Sequence, residues 1–167
     1  MLYLVTQHHR FVREELAAVA LRLADLCSSP AAVSPDFPSL RAAFARLSEM
    51  VLPHLHREEQ NVFRAIERLE DAWQSDEALA VIEGDLSNQI QQLALEHGAI
   101  ALQLRTIRDV RMRLASSNQL PARCSSTLDA IAVLESHLHE YMFLENSVLF
   151  PRAVALEAQM AASNAVK

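Results

Sequence analysis

The sequence predicts an all-α protein, an antiparallel four-helix bundle, and three observations carry that expectation. Only 2 of the 167 residues are glycine, which leaves few of the turns a sheet protein needs. Alanine and leucine are abundant, and both favour helix. Long stretches place an apolar residue every three or four positions, with no alternating run to suggest a strand.

The breaks come first. CSSPAAVSPDFPS (27–39) carries three prolines and four serines and reads as a loop, and LASSNQLPARCSS (114–126) reads as a second. Between Trp73 and Ser87 the pattern weakens around Gln74-Ser75-Asp76 and Gly84-Asp85, and a short extra helical turn is expected there. Four helices remain, near 3–26, 38–72, 86–114 and 126–158. The first repeats Val12, Leu16, Val19, Leu23 and Leu26. The second repeats Leu40, Phe44, Leu47 and Val51, then Val62, Ile66 and Leu69. The third repeats Leu86, Ile90, Leu93, Ile100, Leu104 and Ile107. The fourth repeats Leu128, Ile131, Leu134 and Leu138, then Val148. Such helices, each with one apolar stripe, bury it by packing antiparallel. The length fits one domain, residues 1–167, with an ample core.

Composition narrows the function classes. The 15 basic and 21 acidic residues are dispersed, so no basic block marks a nucleic-acid partner. No apolar run approaches the ~20 residues that span a bilayer. The apolar stretch before Arg10 is too short for a signal peptide, and a cytoplasmic location is expected. Cys27 and Cys124 match no metal-binding spacing. Both are expected in loops as free thiols, which removes a thiolate zinc site from consideration.

The stripes are interrupted by polar residues. His9 lies seven positions before Leu16 on the first stripe. Val51 is followed by His54, Glu58 and Val62. His97 sits between Leu93 and Ile100, and Leu138 leads to Tyr141 and Glu145. Every helix thus puts a potential metal ligand at a core position. His9 and His54 are about equally far from the first loop, and His97 and Tyr141–Glu145 are about equally far from the second. If the third helix starts near Gly84–Leu86, the middle connection agrees as well and one layer of the bundle collects all six. Within it, His54 and Glu58, and Tyr141 and Glu145, have the i, i+4 spacing that lets two side chains reach one point.

Taken singly, each has an ordinary reading: a hydrogen-bonded core histidine, a packed tyrosine, a glutamate at the stripe's edge. Jointly they place two carboxylates in a core, where each costs several kcal/mol without a compensating charge. A metal ion supplies that charge. Imidazole with carboxylate suits iron or manganese, and two carboxylates can bridge a pair of ions. His8, His56, His137 and His139 fall beside the stripes, as outer or surface residues. His137, one turn before Tyr141, is an alternative or additional ligand.

At these residues the chain resembles the hemerythrin-like (HHE cation-binding) superfamily, and most closely the di-iron domain of bacterial iron–sulfur-cluster repair proteins. FLENSVLFPRA (143–153) is the most specific segment, followed by HLHREEQNVF (54–63), HHRFVREEL (8–16), EHGAIALQLRTIR (96–108) and PARCSST (121–127). The resemblance implies His9, His54 and His97 as terminal iron ligands, with Glu58 and Glu145 as bridges. Two positions depart from it. Pro30 stands where the family has a histidine, and Tyr141 stands where it has another, four residues before the last glutamate. The cysteine-bearing N-terminal segment of the repair proteins has no counterpart in these residues.

Losing an imidazole at Pro30 leaves one coordination position open. A Tyr141 phenolate is a hard anionic donor that favours ferric iron, whereas without it a single-ion site is the alternative. The implied role is reaction of a non-haem di-iron centre with a small diatomic molecule (O2 or NO) or peroxide, in nitrosative or oxidative stress or cluster repair. Reversible O2 or NO carriage or sensing is a second reading. A metal-poor bundle acting as an interaction protein is a third.

Overall fold

In the computed structural model, residues 4–28, 34–75, 86–116 and 120–164 are described, and among them every regular element is helical. The elements are α1 (Arg10–Ser28), α2 (Asp36–Arg57), α3 (Phe63–Ser75), α4 (Leu86–Ala115), α5 (Ala122–Leu144) and α6 (Phe150–Asn164). Short π-helical segments at Leu4–His9, Glu58–Val62 and Glu145–Leu149 lead into α1 and join α2 to α3 and α5 to α6. The result is four continuous rods. The turn expected near Gly84 and the position of Pro30 lie outside the described residues.

Cross-rod partners run in opposite directions. His54 meets Glu96, whereas Gln103 reaches back to the carbonyl of Ala43. His97 meets Asn146, whereas Arg108 meets Glu135. The first rod packs on the second and fourth, and α4 packs on α2, α5 and α6, which closes an antiparallel bundle.

Helix starts follow local chemistry. The Ser34 hydroxyl accepts the Asp36 N–H at 3.3 Å, and Pro38 falls in the first turn of α2, where its missing N–H has no helical partner to lose. Pro121 plays a similar part before α5, its carbonyl accepting from Cys124 at 2.8 Å and Ser125 at 3.2 Å. The fourth rod therefore begins at Ala122 instead of near 126, because a proline just ahead of a helix starts it. Neither cysteine lies in a loop. Cys27 is in the last turn of α1 and Cys124 is buried in the first turn of α5, both as free thiols.

The expected apolar stripes are buried with one exception. Val148 is 48% exposed, and Phe150 takes the core position instead, at 3%. The cause is the π turn between them. The Phe150 N–H bonds the Glu145 carbonyl, five residues back, so the downstream face is rotated by about one residue. Pro151 contributes, since it cannot donate to the carbonyl an α-helix would assign it. The second rod does the same where Phe63 bonds the Glu58 carbonyl.

Far from the interrupted layer, Glu135 is buried on α5 and holds Arg108 at 2.5 Å and Arg111 at 3.4 Å on α4. Glu135→Gln should lower stability by about 1–3 kcal/mol, the usual loss for a charged hydrogen bond, as read by urea unfolding. An unchanged midpoint would mean that the clamp contributes nothing net.

Candidate metal centre

Buried residues form two apolar clusters. One is built on α1, α2, α5 and the second half of α4; the other on α3, α6 and the first half of α4. Between them lies a layer of polar side chains: His9, His54, Glu58, His97 and Glu145, with the Tyr141 hydroxyl. The most exposed of the six, His97, is only 3% accessible. All six residues singled out in the sequence are brought together.

Glu58 is at the middle. Its Oε1 faces His54 Nε2 at 2.9 Å and His97 Nε2 at 3.6 Å. Its Oε2 faces His9 Nε2 at 3.3 Å and the Tyr141 hydroxyl, also at 3.3 Å. The carboxylate thus divides the layer into two groups of donors. Glu145 Oε2 lies 3.3 Å from His97 Nε2. His54, Glu58, His97 and Glu145 each offer a ligand atom, all within 4.8 Å of one another. His9 and Tyr141, 2.5 Å apart through Nε2 and hydroxyl, make the other side.

The π turns explain how both glutamates reach inward. Each opens such a turn, and the extra residue lets Glu58 and Glu145 occupy core positions without displacing Phe63 or Phe150.

Each inward-facing imidazole is held from behind. His9 Nδ1 meets Glu59 Oε1 at 2.6 Å, His54 Nδ1 meets Glu96 Oε2 at 2.8 Å, and His97 Nδ1 meets Asn146 Oδ1 at 3.0 Å. Acceptors at Nδ1 put the proton there and leave Nε2 as a lone pair directed inward. His54 Nε2 and His97 Nε2 then stand 3.0 Å apart with two carboxylates beside them. Glu58 Oε1 and both oxygens of Glu145 are buried without any hydrogen bond. Converging lone pairs of this kind repel unless protons or a cation lie among them. The donor set fits a metal ion on that ground.

Without a cation, protons take its place. Burial opposes charge on His97, but the Glu145 and Glu58 carboxylates outweigh it and raise the imidazole to about 9. His9 is likewise raised, burial being overcome by Glu58 and Glu59. Burial pushes Glu145 up to about 7, helped by the charge of Glu58 and resisted by His97. Burial alone would raise Glu58 too, yet three histidines hold it well below the carboxylate range. Burial and the two carboxylates keep the Tyr141 phenol protonated far above 10.

These features describe a cation-binding layer on a helical bundle, and comparison with known proteins agrees. A family model described as "Hemerythrin HHE cation binding domain" matches residues 1–153. The chain belongs to this hemerythrin family. It is also similar to the iron–sulfur cluster repair protein YtfE of Yersinia pseudotuberculosis serotype IB (strain PB1/+), 24% identical over 153 residues. That match covers 91% of this chain and spans 63% of the length of the relative. Among the described residues, no helix of this hemerythrin-family protein is long and apolar enough to cross a membrane.

Sequence reasoning missed the outer partners Glu59, Glu96 and Asn146. A signal was present: each is the chain neighbour of an interrupting residue, in Glu58-Glu59, Glu96-His97 and Glu145-Asn146. Of the four histidines expected beside the stripes, His8 and His137 pair at 3.0 Å on the outer side of Tyr141, and both are half-buried. His137 contacts His8 and Phe11, and it is His8 that lies against Tyr141. His139 Nδ1 bonds the Glu135 carbonyl, and His56 is exposed.

Proposed function

We propose that this hemerythrin-family chain is a non-haem di-iron protein whose centre reacts with a small diatomic molecule or peroxide, serving nitrosative or oxidative stress or iron–sulfur cluster repair. One observation carries the reading: the two oxygens of Glu58 face two separate donor groups, as a bridging carboxylate requires. His54 and His97 would hold one ion and His9 and Tyr141 the other, with Glu58 and Glu145 between them. The similarity to an iron–sulfur cluster repair protein supports the cluster-repair part of this reading.

Bound iron would supply a redox-active Lewis acid with a position open to the small molecule. The chain's own residues do the rest. The sealed layer excludes bulk water, which strengthens every charge interaction within it. The Tyr141 hydroxyl has His9 Nε2 at 2.5 Å and Glu58 Oε2 at 3.3 Å, so a proton it would give up as a ligand has acceptors at hand. Burial and the neighbouring carboxylates keep this phenol neutral, so Tyr141 would serve as a phenolate ligand only beside a cation whose charge offsets that cost.

Iron content and the visible spectrum after anaerobic ferrous loading test the proposal. About two irons per chain, with a phenolate band after oxidation, are expected. Tyr141→Phe should remove that band and leave the helical content unchanged. A band that survives the substitution removes Tyr141 from the coordination sphere. Turnover of peroxide or nitric oxide supports the reactive role, whereas a stable reversible adduct would replace it with carriage.

A further inference from the structure

The three imidazoles are backed unequally. Glu59 behind His9 is gripped by both ends of the Arg13 guanidinium, at 2.8 and 3.0 Å. Glu96 behind His54 is bound by Arg57 at 2.7 Å and by Gln92 at 3.3 Å. Behind His97, among the described residues, stands the neutral amide of Asn146 and no carboxylate. Each arginine comes one turn along from the histidine it serves indirectly, His9 to Arg13 and His54 to Arg57, and the carboxylate is thereby fixed from two sides.

A carboxylate on Nδ1–H draws the proton toward itself and makes the opposite nitrogen a stronger donor; an amide does this far less. We propose that Glu59 and Glu96 are positioning residues that orient His9 and His54 and strengthen their Nε2 donation, so that they set the ferric preference of the centre, with Asn146 leaving His97 the weakest of the three nitrogen donors. This rests on the metal reading above. It goes beyond the ligands to the groups that tune them. The unequal backing also adds to the difference between the two sides. The His9 side combines a carboxylate-backed imidazole with a phenol, and the other side includes the one imidazole without such backing.

Glu59→Gln and Glu96→Gln keep size and an acceptor oxygen while removing the charge, and Asn146→Asp adds a charge behind His97. Iron content, metal-free melting temperature and reduction potential are measured on wild type and all three variants. With iron retained, each glutamine variant should move the ferric-to-ferrous ratio toward ferrous by about tenfold, a rise of ~59 mV for one electron. Asn146→Asp should shift it the other way by a similar factor. Unchanged potentials in iron-loaded variants overturn the proposal, because a merely structural contact would leave them so. Where a glutamine variant does not retain iron, zinc titration replaces the potential. A loss of about 10- to 100-fold in zinc affinity with an unaltered metal-free melting temperature supports the positioning role. Unaltered zinc affinity, or a loss matched by a lower metal-free melting temperature, overturns it. Wild-type protein that takes up neither ion defeats the metal reading itself, and that result is visible without any variant.

Discussion

Glu58→Ala is expected to strip the centre of stoichiometric metal. Glu58 has an oxygen against each donor group: Oε1 lies against His54 and His97, and Oε2 lies against His9 and Tyr141. Removing an outer partner alone typically weakens metal binding about 10- to 100-fold, so loss of the shared carboxylate should weaken it more than about 100-fold. Alanine also leaves a void in a layer sealed from water and removes the anion that three buried imidazoles share. Glu58→Asp, one methylene shorter, should hold metal on one side only and halve the iron content. Metal analysis after desalting, beside circular dichroism to establish folding, reads both results. A folded alanine variant with wild-type iron content would show that Glu58 is no ligand.

The second large effect is on pH. The metal-free protein should lose stability steadily from about pH 5 to about pH 9. Glu145 binds its proton more tightly in the fold than in the unfolded chain, rising from 4.5 to about 7, so its favourable contribution disappears as pH climbs through that interval. His97 rises from 6.5 to about 9. Its contribution is complete below 6.5 and is lost by the upper value. The depressed Glu58 works the other way, but its contribution is present above 4.5 and lost only on stronger acidification. Metal displaces the same protons, so affinity should rise with pH across this window, and loading should release protons. Melting temperatures of metal-free and loaded protein should therefore diverge as pH increases. A metal-free melting temperature that stays level or climbs between about pH 5 and pH 9 would contradict the assignment of those protons to the centre.

Most of the bundle is legible in the sequence because a helix repeats its buried face every 3.6 residues and buries little else. The third stripe, Leu86 to Ile107, is apolar at its expected positions apart from His97, and the structure buries it in full. The fourth fails at Val148 because the pattern was continued in α-helical steps, whereas the backbone inserts a π turn at Glu145. That turn has no strong residue signature of its own, and Pro151 is its one local hint. The six inward groups could be found because polar residues on an apolar stripe are costly and rare. Glu59, Glu96 and Asn146 could not be found that way. They lie on partly exposed faces, where charged and amide residues are ordinary, and only the rods' mutual rotation brings them behind the imidazoles.

The polar layer also divides the molecule mechanically. On one side lies an apolar block formed by four helices; on the other a smaller block rests on α3, α6 and the start of α4. Little apolar contact crosses the layer, so a metal-free chain can open the smaller block as a separate cooperative unit while the larger one persists. An ion gripped from four rods would join the two into a single unfolding transition. Because every candidate ligand is sealed from solvent in the closed fold, that same partial opening would offer a route for ions to enter. Hydrogen exchange at the amides of α3 and α6 would then be fast without metal and slow with it, and the rate of loading would follow the rate of opening.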